Sequence, residues 1–86
     1  MMAYSLHWKP KAIDDLESLG KDTQLRIIGK VELILDSPNR FTDYIKQYSV
    51  HRLRVGDYRV FMDLDRKDRT IEILTIRHRK NAYARP

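Results

Sequence analysis

Apolar residues recur at helical intervals in the first half of the chain and at every other position in much of the second. In residues 3–8, Tyr4, Leu6 and Trp8 fall on one face, which predicts a first strand. Pro10 suits a first helical turn, where its missing N–H costs nothing. Ala12, Ile13, Leu16 and Leu19 then follow at helical spacing until Gly20 supplies a stop. Asp22 or Thr23 is placed to cap a second helix. Its stripe is Leu25, Ile28, Val31 and Leu35, widened by Ile27 and Ile34, and Ser37-Pro38 ends it. Residues 39–48 read as irregular, with Phe41, Tyr44 and Ile45 expected to anchor the segment to the core. From Ser49 the period is two: His51, Leu53 and Val55 point one way, Val50, Arg52 and Arg54 the other. Gly56-Asp57 is a two-residue turn, and Tyr58, Val60, Met62 and Leu64 alternate with Arg59, Phe61 and Asp63. After a polar loop, residues 70–76 are apolar on both faces, as in a central strand, and a basic tail follows. The order βααβββ predicts an α+β fold: an antiparallel sheet with a two-helix hairpin on one face and the other face open.

The chain has 86 residues, with 42% hydrophobic and 34% charged, the composition of a folded protein. No linker or repeat divides it, so residues 1–86 read as one domain. No apolar run approaches the ~20 residues of a membrane span. The N-terminus lacks a secretory pattern, and cysteine is absent, so the expectation is an intracellular, cytoplasmic protein with no disulfide framework. His7, His51 and His78 are too widely spaced to suggest a metal motif.

The net charge of +5 is unevenly spread. Residues 1–45 carry six Lys/Arg against seven Asp/Glu, and residues 46–86 carry eleven against five. The basic second half attracts polyanions, either nucleic-acid phosphates or an acidic protein segment. A two-residue turn at Gly56-Asp57 sets Arg54 opposite Arg59 and Arg52 opposite Phe61, so that three arginines share the face away from the helices. Like charges directly opposed across strands are destabilising, whereas a bound phosphate accepts bidentate bonds from guanidinium groups. The plainer alternative is solvated arginines fanning apart, with Asp57 or Asp63 as partners.

The segment Arg52-Leu-Arg-Val-Gly-Asp-Tyr-Arg59, joined to His78-Arg-Lys-Asn-Ala-Tyr83 after an apolar strand, resembles the RelE branch of the RelE/ParE toxin superfamily over nearly the whole chain. The resemblance implies a type II toxin that cleaves mRNA in the ribosomal A site. Cleavage there proceeds without a metal or cofactor, by attack of a ribose 2′-OH on the neighbouring phosphate. It also implies a RelB-like antitoxin as partner, beside the ribosome and mRNA, with no membrane. Matched by motif, Arg52, Arg54, Arg59, Arg79 and Tyr83 are the catalytic candidates, and Arg77, His78 and Lys80 the further RNA-binding ones. Arg54 and Arg59 would hold the scissile phosphate, Arg79 would contact it or assist the leaving oxygen, and Tyr83 would stack on a base.

This chain has arginine where the pattern has lysine at Arg52 and Arg54. Arginine stays protonated, so the general base is unassigned. His51 is expected to face the helices, and His78 has the opposite parity from Arg77 and Arg79. Two other functions stay open: a ParE-type inhibitor of DNA gyrase, and a non-enzymatic nucleic-acid-binding module.

Overall fold

A computed structural model describes residues 3–82. The chain runs β1 (Ser5–Trp8), α1 (Pro10–Glu17), α2 (Lys21–Leu33), α3 (Pro38–Phe41), β2 (Asp43–Ile45), β3 (Val50–Val55), β4 (Tyr58–Asp65) and β5 (Thr70–His78), then a short 3-10 turn, Arg79–Asn81. Pro10 opens α1 as expected. The cap of α2 differs: Gly20 takes the N-cap position, and Asp22, read as a possible cap, lies in the first turn, where its charge favours the positive helix end. No helix among the described residues is long and apolar enough to cross a membrane.

The five strands form one sheet in the order β1-β5-β4-β3-β2. Four are antiparallel neighbours, but β1 pairs parallel with β5, from Ser5 opposite Thr70 to Trp8 opposite Ile73. The expected antiparallel sheet is present in β2 to β5, and β1 departs from it because α1 and α2 carry the chain across one face of the sheet and alternation within β1 carries no information on direction. Residues 39–48 are also more ordered than their pattern suggests. They form α3 and β2, elements of four and three residues, too short for a period to show. Phe41 and Tyr44 are exposed there, not core anchors, and Ile45 is half-buried.

The core lies between helices and sheet. Ala12 and Leu16 of α1, with Ile27 and Val31 of α2 and Ile34 just beyond it, meet Leu53, Val55, Val60, Met62, Ile71, Ile73 and Ile76. Each fully buried aliphatic side chain contributes about 1.5–3 kcal/mol. The expected α2 stripe is rotated in part: Leu25 is exposed, and Ile27 takes its place in the core. Ile71, Ile73 and Ile76 do not share one strand parity. The register explains this, because Phe61 faces Thr75 while Met62 faces Ile73, leaving Leu74 as an extra residue. This β-bulge returns Ile76 to the core and Arg77 to the open face.

Two further features hold the sheet. Gly56, at φ +56°, takes the first central position of the β3–β4 turn, the place a type II′ turn reserves for glycine. The Arg26 guanidinium lies 3.0 Å from where a Cβ on Gly56 would stand. Asp15 of α1 reaches β5 at the bulge, where its Oδ2 accepts the Thr75 hydroxyl at 2.6 Å and the Ile76 amide at 3.0 Å, while Lys11 pairs with Oδ1. Partial burial raises the Asp15 pKa, but the bonds from Lys11, Thr75 and Ile76 outweigh it and hold the group below its ordinary value.

Ser49 and Arg69, each the last residue before a strand, have φ of +53° and +54°. A non-glycine residue costs about 1–2 kcal/mol there. Ser49→Gly is therefore expected to raise the thermal midpoint by a few degrees in calorimetry, and a lower midpoint would contradict the strain. Because the folded-state pKa of Asp15 is depressed, its stabilising contribution is present above the unfolded carboxylate value and fades as pH falls through the lowered one. Urea unfolding between pH 7 and pH 3 should accordingly show a shallower acid loss for Asp15→Ala than for the wild type.

Candidate nucleic-acid interface

The register of β3, β4 and β5 builds the site. Arg54 faces Arg59 across β3–β4, and Arg59 faces Arg77 across β4–β5. Since Leu53, Val55, Val60 and Ile76 are buried against the helices, the three arginines form a row across the opposite face. In the next row Arg52 faces Phe61, which faces Thr75. Both pairings expected from the Gly56-Asp57 turn are present.

Each cation is tied to a local acceptor. Arg52 Nη2 lies 3.0 Å from Asp43 Oδ2, and Arg54 Nε lies 3.7 Å from the same oxygen. The hydrogen bond from Arg52, reinforced by both positive charges, lowers the Asp43 pKa. Arg59 Nη1 donates to the carbonyls of Gly56 and Tyr58, each at 2.9 Å, which holds the guanidinium over the turn. The Arg79 amide donates to the Asp57 carbonyl at 2.7 Å, and Arg79 Nε lies 3.5 Å from Asp57 Oδ1. The end of β5 is thereby fastened to the hairpin turn, the same turn over which Arg59 lies. Arg77 Nη1 reaches the Asn81 carbonyl at 3.5 Å, and Lys80 is exposed in the same 3-10 turn. Asp57 is thus a partner as expected, though of Arg79, and Asp43, not Asp63, pairs with the hairpin arginines. Tyr83 lies outside the described residues.

Next to the row is an apolar hollow of about 170 Å³, lined by Tyr48, Val50, Phe61, Leu74, Thr75, Arg77 and Ala82. Tyr48 is 44% exposed, whereas Phe61 is buried. Tyr48 escaped the sequence reading because residues 39–48 read as irregular; Val50, following Lys46-Gln47-Tyr48-Ser49 as a polar turn, was the available signal. Further along the face lie acidic residues, Asp63 opposite Glu72, with Glu72 Oε2 3.8 Å from His7 Nε2 and Oε1 3.9 Å from Lys9 Nζ.

None of the three histidines joins the arginine row. His78 ends β5 opposite Tyr58, their rings edge to face at 5.3 Å, and its Nδ1 accepts the Lys80 amide at 3.2 Å. It stands on the helix side and is not brought together with Arg59 and Arg77. His51 pairs with Met62 across the strands, lies 5.1 Å from the Tyr44 ring, and has Nδ1 3.4 Å from Thr42 Oγ1. Burial lowers its pKa, with the Arg66 charge adding to this and Asp63 opposing it. Among the described residues no group of three or more His, Cys, Asp or Glu side chains is placed to hold a metal ion. The site can therefore bind phosphate oxygens through guanidinium groups and offer an aromatic face beside them.

Comparison with known proteins agrees with this architecture. A chain in the RelBE2 toxin–antitoxin complex of Mycobacterium tuberculosis superposes with a TM-score of 0.83 at 20% identity, covering 90% of this chain and 99% of that one. The archaeal RelE–RelB complex of Pyrococcus horikoshii gives 0.76 at 26% identity, covering 94% and 100%. The RelB–RelE complex of Methanococcus jannaschii gives 0.70 at 27% identity, covering 90% and 94%. A sequence search of curated proteins finds no match. The family profile described as the ParE toxin of type II toxin-antitoxin system, parDE, matches residues 6–83. With that match over most of its length, the chain belongs to the ParE toxin family, a type II toxin–antitoxin toxin of the RelE/ParE superfamily.

Proposed function

We propose that this toxin is a ribosome-dependent endoribonuclease that cleaves mRNA in the ribosomal A site. The observation that carries this reading is the row Arg54, Arg59 and Arg77 on three adjacent strands, with the exposed ring of Tyr48 beside it. A row of guanidinium groups at strand spacing suits the oxygens of a phosphodiester, and an aromatic face suits the attached base.

In the reaction the ribose 2′-oxygen bonds to phosphorus as the P–O5′ bond breaks, leaving a 2′,3′-cyclic phosphate and a 5′-hydroxyl. The hydroxyl's proton leaves the 2′-oxygen, and a proton is returned to the 5′-oxygen. Arg54 and Arg59 neutralise charge developing on the non-bridging oxygens, an effect of about 3–4 kcal/mol per preorganised donor in other enzymes. Arg79, beside the turn, is assigned to the leaving oxygen. Arg52 supports the row through Asp43, Arg77 and Lys80 hold the flanking backbone, and Tyr83 is assigned to base stacking. Guanidinium groups are poor proton acceptors, so the 2′-OH proton is assigned to a group supplied with the ribosome or to water. In the cytoplasm a RelB-like antitoxin would restrain the toxin by covering the arginine row with acidic side chains.

The matching profile is described as a ParE toxin, which favours a second reading, the inhibition of DNA gyrase that a resemblance to the ParE branch implies. In that case the arginines would meet DNA or an acidic protein surface.

Purified protein added to a reconstituted translation reaction should cut mRNA only where a ribosome has an empty A site, and Arg59→Ala or Arg79→Ala should abolish the cut. Intact message together with loss of gyrase supercoiling would replace this reading with the second. Tyr48→Ala should lower kcat/KM for cleavage by about tenfold, the lower part of the stacking range of about 1–3 kcal/mol. Unchanged cleavage would remove Tyr48 from the RNA path.

A further inference from the structure

The β1 ladder ends where Trp8 faces Ile73, so the outer edge of β5 beyond that point is met by α1 instead of a strand. Asp15 stands there. Its Oδ2 accepts the Thr75 hydroxyl at 2.6 Å and the Ile76 amide at 3.0 Å, the two residues immediately after the extra residue Leu74. Continuing the register of Met62 opposite Ile73 without that extra residue would set Arg59 opposite Ile76 and Tyr58 opposite Arg77. Arg77 would then point towards the helices and Ile76 into the arginine row. A bulge needs its displaced polar groups satisfied, and the carboxylate supplies the acceptor that a neighbouring strand would otherwise provide.

We propose that Asp15 is a positioning residue that holds the β5 bulge in register and so places Arg77 in the phosphate-binding row. Asp15 lies on α1, off the open face, and acts on RNA only through Arg77. The proposal rests on the RNA-cleaving reading for its activity readout and on the register of β5 for its structural one.

The test is a double-mutant cycle of Asp15→Ala and Arg77→Ala. Its readouts are mRNA cleavage on ribosomes and the salt dependence of binding to a labelled single-stranded RNA oligonucleotide. Asp15→Ala should lower kcat/KM roughly tenfold, as expected for a misplaced positioning group, and reduce the salt slope by about one, matching Arg77→Ala. The double variant should cleave no more slowly than Arg77→Ala alone, since coupled residues are not additive. Losses that simply add, or Asp15→Ala cleaving like the wild type, would overturn the proposal. Should Asp15→Ala fail to fold, Thr75→Val carries the same test and should show the same loss, while Thr75→Ser, which keeps the hydroxyl, should restore cleavage. If the wild type neither cuts nor binds RNA, the functional reading fails, and cross-strand NOEs decide the positioning claim alone. Contacts between Arg59 and Arg77 should weaken in Asp15→Ala or Thr75→Val, and full-strength contacts would overturn it.

Discussion

The open face depends on one constraint, the extra residue that β5 carries over β4. A strand has a period of two, so a single insertion exchanges its two faces from that point on. Ile71 and Ile73 meet the helices before Leu74, and Ile76 meets them after it, so the core stays continuous and Glu72 and Arg77 share the open face although the core positions change from odd to even numbers. The core and the arginine row therefore cannot be separated. Burial of Ile76 and exposure of Arg77 are two results of the same register.

Much of this was legible in the chain. The hairpin pairings followed from Gly56-Asp57 and alternation, because a two-residue turn leaves little freedom in which residues face one another. The Ile71, Ile73 and Ile76 spacing already contained the bulge, but a strand apolar on both faces hides a change of parity, since either face looks buried. The short elements between residues 38 and 45 were hidden for another reason: three or four residues do not complete a period. Tyr48 and Asp43 were lost with them. Asp43 in particular acquires its role only through β2 pairing with β3, which places it opposite Arg52. Asp15 and Thr75 are sixty residues apart in sequence, a separation over which local pattern says nothing about contact.

The arginine row lives with its own repulsion by sharing acceptors. Arg52 and Arg54 meet one carboxylate, Arg59 turns onto two carbonyls, and Arg79 meets Asp57. The Arg54–Asp43 and Arg79–Asp57 pairs are exposed and individually weak, about 0–1 kcal/mol, so a phosphate can displace them at small cost, whereas the Arg52 side chain is only 11% exposed and is held against Asp43. The geometry is held by backbone, and the charge is left exchangeable. That division would suit the proposed RNA surface, which must stay folded without its polyanion and bind it without rearranging strands.

The placement of Asp63 and Glu72 at the far end of the same sheet face has a consequence for approach. The arginines lie near the hairpin tip, while further along the same face Asp63 and Glu72 stand with Lys9 and His7, so the positive charge of this face is weighted towards the tip. A charge distribution displaced from the centre of mass exerts a torque in the field of a polyanion. Approaching the proposed RNA, such a molecule would turn tip-first from about a Debye length away, and fewer encounters would be spent in wrong orientations.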